Sequence, residues 1–197
     1  SFKSTRTNRT TVTSRSKIQK RIRLKRVKRF IIEPLSKKYH KEDFSCGIEV
    51  LDTYLHKQAA QEAKKKVTTP FILIDNEAGK IAGYYTLSMN SVKTKELPEE
   101  IKKKLPKYQV MPAALLGRLA IDKNYQGQKR GEYLLLDAMH RTLKNEVVST
   151  FFVVEALDER AKQFYLKYNF ISMNDWQNRL FLPMKTIETM FRNSTKC

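Results

Sequence analysis

Leu119-Ala-Ile-Asp-Lys-Asn-Tyr-Gln126-Gly127-Gln128-Lys129-Arg130-Gly131-Glu132 is the stretch that decides how this chain is read. An apolar strand runs into a short loop with two glycines and two cations. A helix follows, with Leu134, Leu135, Ala138 and Thr142 on one face. Glycines let the backbone come close, successive N–H groups converge, and the helix N-terminus adds positive potential. Such a loop is an anion cradle, and a diphosphate is a natural occupant. Taken alone, it reads more readily as an ordinary strand–turn–helix connection with solvated Lys and Arg; the apolar strand before it, the apolar helix face after it and the downstream pattern favour the cradle.

Working outward, strands and helices alternate. Downstream, Phe151–Ala156 is apolar apart from Glu155 and reads as a central strand. Glu159–Tyr168 reads as a helix carrying Ala161, Phe164, Tyr165 and Tyr168 on one face, and Leu180–Met184 as a last strand broken by Pro183. Upstream, Leu115–Ile121 is a strand, and residues 93–109 form a long loop with a short helix between Pro98 and Pro106. Phe71–Asp75 and Ile81–Met89 form a hairpin around Asn76–Gly79. A helix carrying Leu51, Tyr54, Leu55, Ala59 and Ala63 closes at Lys64–Lys66, and Phe30–Ile32 is a first strand stopped by Pro34. No internal repeat is visible. The pattern predicts an α/β fold: a central mixed β-sheet flanked by helices.

Composition narrows the function classes. The chain has 197 residues, a net charge of +19 and 41% hydrophobic residues, enough for one ordinary domain. Twelve of the 39 Lys and Arg fall in residues 1–29, with no acid among them. This part is expected to be a disordered basic extension, ahead of a domain at 30–185 and a tail at 186–197. Ile18, Ile22, Leu24 and Val27 interleave with the charges, so a basic helix on RNA or lipid and a segment without function both stay open. A chain this basic seeks polyanions. Two cysteines exclude a disulfide scaffold and a Cys-based zinc site, and fit a cytoplasmic location. His40, His56 and His140 are isolated, so no metal is expected. No apolar run reaches the ~18–20 residues that span a bilayer, and no apolar stretch follows the first charges, so neither a secretory signal nor a membrane partner is expected.

The loop resembles the acetyl-CoA diphosphate loop of the GCN5-related N-acetyltransferases, Gln/Arg-x-x-Gly-x-Gly/Ala. Gln126 takes the first position and Gly131 the last, while Lys129 replaces the middle glycine. Further blocks extend the resemblance over residues 30–185. They are Phe44–Gly47 with Leu51–Leu55, Gly83–Ser88, Leu116–Asp122, Ala156–Phe170 and Leu180–Pro183. In this order they are similar to the tRNA-acetylating toxins of bacterial toxin–antitoxin pairs.

That resemblance implies a fold, a co-substrate and roles. The sheet is expected to splay at the cofactor strand. Acetyl-CoA is expected to lie along Leu119, Ala120 and Ile121, with its diphosphate on Gln126, Gly127, Gln128, Lys129, Arg130, Gly131 and Glu132. Asp158, Ala161 and Phe164 are expected beside it. Tyr165 is implied as the general acid that protonates the departing thiolate, although an aromatic at this helical spacing is ordinarily core. Arg118, Tyr84, Tyr85 and Ser88 are expected on the acceptor side. The implied activity is acetylation of the α-amine of aminoacyl-tRNA, which blocks translation. An antitoxin partner and a homodimer are implied as well. Two other functions remain: the same fold acting on a small amine or a protein N-terminus, and a basic RNA-binding protein with a degenerate acetyltransferase domain.

Overall fold

Both faces of the sheet are covered, which is why its central strands read as unbroken apolar runs. The computed structural model describes residues 29–194; the basic extension expected at 1–29 thus lies, apart from Arg29, outside the described residues. The strands are β1 (Phe30–Pro34), β2 (Thr69–Asp75), β3 (Lys80–Lys93), β4 (Val110–Ile121), β5 (Phe151–Glu155), β6 (Ile171–Met173) and β7 (Trp176–Pro183). They form one sheet in the order β1-β2-β3-β4-β5-β7-β6. Every neighbouring pair is antiparallel except β4–β5, which is parallel.

One face carries α1 (Glu49–Thr53), a π-helical turn (Tyr54–Gln58) and α2 (Ala59–Lys64). Tyr54, Leu55 and Ala59 pack there on Ile72, Ile74, Tyr84 and Ala120. The other face carries α4 (Arg130–Leu143), α5 (Glu159–Leu166) and α6 (Met184–Ser194), the short α3 (Glu99–Lys102) lying earlier in the chain. Leu134, Leu135, Ala138 and Met139 of α4 pack with Leu73, Tyr85, Leu116 and Val154. A third cluster joins Leu97, Met111, Phe151, Val153 and Phe181.

Several boundaries differ from the sequence reading. β4 begins at Val110, five residues before the expected start, because Pro112 is tolerated where pairing with β5 has not yet begun at Ala113–Phe151. β7 begins at Trp176 and Pro183 ends it rather than breaking it; β6 pairs with it as an unforeseen edge hairpin. Residues 186–194, read as tail, belong to α6. Ile187 is fully buried and Met190 and Phe191 pack on the core, so the apolar spacing gives this segment a docking face. Arg29, read as part of the basic extension, is tied to the domain through Asp75, 3.1 Å away.

Candidate active site

The pairing register opens the site. β4 stays on β3 as far as Gly83–Ile121, but its pairing with β5 stops at Leu116–Val154. Past that point no described strand lies against residues 117–121 on the β5 side. In a strand, alternate N–H and C=O groups point to each neighbour, so this edge offers unpaired backbone donors and acceptors. A bulge between Thr86 and Leu87 opposes the turning point at Gly117, where an added Cβ would lie 3.3 Å from Thr86 Oγ1.

The splay opens a cleft of about 400 Å³. The structure brings Leu119, Ala120 and Ile121 of β4 together there with Gln126 and Gly131 of the loop. Asp158, Ala161, Phe164 and Tyr165, at the start of α5 and along it, form the opposite wall. A third wall was missed: Cys46, Gly47, Ile48 and Leu51, ahead of and within α1, with Leu157 and Arg160 at the rim. The sequence signal available for that wall was Asp52, which lies six and seven residues after the Cys46 and Ser45 that it clips.

Polar clips hold the third wall. Ser45 Oγ and Cys46 N–H donate to Asp52, at 2.9 and 2.8 Å. Burial alone would raise the Asp52 carboxyl, but these hydrogen bonds outweigh it and hold its pKa below the usual value. Ser45 N–H donates to Asp122, which also accepts from Asn124 N–H. Burial, and then the Asp52 carboxylate, push the Cys46 thiol up to about 11, so it stays protonated at neutral pH.

The loop fits a diphosphate at its backbone. Gly127 has φ +75° and Lys129 has φ 57°, ψ 19°, the left-handed region; α4 starts one residue later. A 14-residue helix therefore points its N-terminus at the loop. A Cβ on Gly131 would touch Phe164 Cζ at 3.7 Å, an ordinary contact, so this glycine serves close approach rather than an unusual backbone angle.

The loop's side chains point several ways. Gln126 Nε2 donates to Cys46 O and Ile121 O. Gln128 Nε2 donates to Asn124 O. The Arg130 guanidinium lies 3.7 Å from the centroid of Phe30, and Lys129 is exposed. Glu132 hydrogen-bonds with Tyr168, whose pKa is raised first by burial and then by that carboxylate. Of the seven expected diphosphate residues, only Gln126 and Gly131 line the cleft. Asp158 caps α5 by accepting from Ala161 N–H at 2.7 Å, so its carboxylate is engaged with its own helix.

Tyr165 is 6% exposed and packs against Phe164 and Phe170, with ring centroids 5.2 and 5.5 Å away. Its hydroxyl makes no hydrogen bond to a described residue, and burial raises its pKa well above the usual tyrosine value. The group is a protonated donor throughout the physiological range.

The four expected acceptor-side residues separate. Tyr84 and Tyr85 are neighbours on β3 and face opposite sides of a sheet buried on both, so both are core. The Tyr84 hydroxyl donates to Leu51 O and the Tyr85 hydroxyl to Asp137. Neither offers a side chain to a substrate, which corrects the sequence reading. Ser88 lines a separate cavity of about 810 Å³ near the end of α4, away from the cleft. Arg118 lies over Tyr54 and lines a pocket beside α1. Among the described residues no cluster of His, Cys, Asp and Glu could hold a metal, and no helix is long and apolar enough to cross a membrane.

Known proteins share this architecture. Residues 35–187 match the acetyltransferase (GNAT) domain. A tRNA-acetylating toxin of Mycobacterium tuberculosis is 31% identical over 129 residues, 64% of this chain and 75% of that protein. A Tyr-to-Phe mutant of KacT superposes with a TM-score of 0.77 at 35% identity, covering 83% of this chain and 99% of the other. AtaT complexed with acetyl-methionyl-tRNAfMet gives 0.77 at 34%, covering 82% and 99%. A mutant AtaT bound to the C-terminus of the antitoxin AtaR and acetyl-CoA gives 0.71 at 30%, covering 83% and 99%.

Proposed function

The chain belongs to the GNAT acetyltransferase family, and from that premise we propose that it acetylates the α-amine of aminoacyl-tRNA and so blocks translation. The observation that carries the reading is the open edge of β4, whose Leu119–Ile121 share one cleft with Tyr165, a tyrosine whose hydroxyl has no hydrogen-bond partner among the described residues. The tRNA-acetylating relative and the tRNA-bound neighbour support the acceptor, and the net charge of +19 suits a polyanion.

Acetyl-CoA supplies the activated acetyl group. The backbone of Leu119–Ile121 binds the pantetheine arm as a strand would, and an N–H there polarises the acetyl carbonyl. The loop backbone and the N-terminus of α4 hold the diphosphate. Ala161 and Phe164 exclude water from one side and Cys46–Leu51 from the other. The acceptor nitrogen bonds to the acetyl carbon as the carbon–sulfur bond breaks. The nitrogen sheds its proton to solvent, Tyr165 donates one to the departing sulfur, and Tyr165 then takes a proton back from solvent. A free phenol near pKa ~10 suits a thiol near ~8.5, and the burial that raises the phenol raises a thiol in the same cleft. The α-amine of an aminoacyl ester is less basic than lysine, so it reaches the neutral form without a strong protein base.

We further propose a cytoplasmic protein held by an antitoxin and working as a homodimer. The antitoxin-bound neighbour supports the antitoxin. Incubation with labelled acetyl-CoA, charged tRNA, small amines and peptides tests the function. Label on charged tRNA supports it. Label confined to amines or peptides assigns the same fold another acceptor. RNA retention without label indicates a binding protein.

A further inference from the structure

Beside the cleft, on the α1 face, lies a pocket of about 310 Å³ lined by Glu49, Val50, Thr53, Tyr54, Gln58 and Arg118. Its floor is a stack. The Arg118 guanidinium carbon sits 3.6 Å from the centroid of the Tyr54 ring. Tyr54 is 1% exposed, and its hydroxyl is engaged by Glu62 at 2.8 Å and Thr68 at 3.2 Å, so the ring cannot tilt away. One face of the guanidinium rests on Tyr54, and the residue also lines the open pocket. Arg118 makes no ion pair to a described residue. A planar cation seated on a ring, with no carboxylate at ion-pair distance among the described residues, is a stacking platform for an unpaired base.

Position and chemistry narrow the occupant. Arg118 precedes Leu119, which lines the acetyl-CoA cleft. In an aminoacyl ester the amine is one short linkage from the ribose of the terminal nucleoside. With the amine at the β4 edge, the base falls within a nucleoside's length of it. Glu49 and Gln58 add polar groups to the same pocket. A carboxamide pairs with the N6/N7 edge of an adenine, and a carboxylate accepts from an exocyclic base amine. A carboxylate would only repel phosphate here, whereas it suits a base amine. The π-helical turn Tyr54–Gln58 brings Tyr54 and Gln58 into one pocket.

We infer that this pocket holds the unpaired terminal base of the acceptor, stacked on Arg118. The inference rests on the aminoacyl-tRNA reading above and adds to it a recognition subsite for an adenine-class base.

The experiment compares 2′(3′)-O-aminoacyl-adenosines with the ethyl esters of the same amino acids, alongside charged tRNA. Wild-type, Arg118→Lys and Arg118→Gln proteins are assayed at saturating acetyl-CoA. The expected result is that both variants lose more kcat/KM on the adenosine esters than on the ethyl esters. The excess should be about 5- to 150-fold, the range one stacked base supplies. Arg118→Lys keeps the charge and loses the plane, so it should fail nearly as badly as Arg118→Gln. Equal losses on both ester classes would make Arg118 a cap on Tyr54 and overturn the subsite. An Arg118→Lys protein with wild-type preference would make it a point charge and overturn it too. Should the Arg118 variants fail to fold, Gln58→Leu, at an exposed position, reads the same ratio with the same expected sign, and no change in that ratio overturns the subsite. A wild type that acetylates ethyl esters but not charged tRNA defeats the parent reading and the subsite together. A wild type that labels tRNA with an unchanged ratio in the variants defeats the subsite alone.

Discussion

Gln126 and Cys46 are joined across the mouth of the cleft: the side-chain amide of Gln126 donates to the Cys46 carbonyl at 2.9 Å while also donating to Ile121 O at 3.0 Å. The first residue of the loop thus staples the α1 wall to β4. Gln126→Glu places an acceptor against two carbonyl oxygens, so it should be worse than Gln126→Ala. KM for acetyl-CoA is expected to rise about 3- to 30-fold, from one or two partly exposed hydrogen bonds. The same rise is expected with acetyl-pantetheine, which lacks the diphosphate, because the wall itself has loosened. A rise confined to full acetyl-CoA would mean that Gln126 touches the diphosphate directly.

Gly131 separates folding from binding. A Cβ there meets Phe164 and Leu119 at 3.7 Å or more, so the fold accommodates a side chain. An acid in the first turn of α4 also favours the helix dipole. Gly131→Asp should therefore melt at or above the wild-type temperature. Its carboxylate enters the cleft that Gly131 lines, and if the diphosphate binds there acetyl-CoA affinity should fall at least about tenfold, ~1.4 kcal/mol of anion–anion repulsion. Calorimetric titration checks this; unchanged affinity would remove the diphosphate from this loop.

Lys129 sits at φ 57° immediately before α4, where most side chains are strained. Lys129→Gly relieves that strain and keeps the N–H. Stability is expected to rise by about 1 kcal/mol, ~2–4 °C in melting temperature for a chain of this size. The lost cation should make acetyl-CoA binding less sensitive to salt. A lower melting temperature would show that the lysine side chain contributes contacts that outweigh its backbone cost.

What the sequence disclosed was mainly local. The period of Leu134, Leu135, Ala138 and Thr142 marked α4, and the apolar run at 151–154 marked a strand covered on both faces. The loop chemistry between them placed the cleft. Tyr84 and Tyr85 were misplaced because strand alternation shows that they face opposite ways, not that helices cover both sides. The Cys46–Leu51 wall is joined to the cleft by hydrogen bonds between residues 77 and 80 positions apart, which no window of sequence displays. The docking face of α6 was present in Ile187, Met190 and Phe191, but Lys185, Thr186, Glu188, Thr189, Arg192 and Asn193 around them resemble a tail.

Asp75 gives the domain an acid limit. It is 1% exposed and accepts from Arg29, Tyr125 and the Glu77 N–H. Burial opposes its ionisation, but Arg29 and the other donors outweigh that and hold its pKa below the usual aspartate value. A carboxyl with a depressed folded pKa contributes stability above its unfolded pKa and loses it as pH falls through the folded value. The melting-temperature gap between wild type and Asp75→Asn should be widest above pH ~4 and close below it. A gap of equal size at pH ~3 and ~6 would show that charge at Asp75 does not stabilise the domain.

The measurement that bears most directly on the whole account is transfer of label from acetyl-CoA to charged tRNA by wild type and Tyr165→Phe. The ring stays packed between Phe164 and Phe170 in the variant, and only the hydroxyl is lost. Wild type should place the label on the α-amine, recovered as N-acetyl amino acid after the ester is cleaved. Tyr165→Phe should fold, bind acetyl-CoA as tightly, and turn over about 10²–10⁴ more slowly, the loss expected for a positioned general acid. A wild type that leaves charged tRNA unlabelled, or a variant within ~3-fold of wild type, would contradict it.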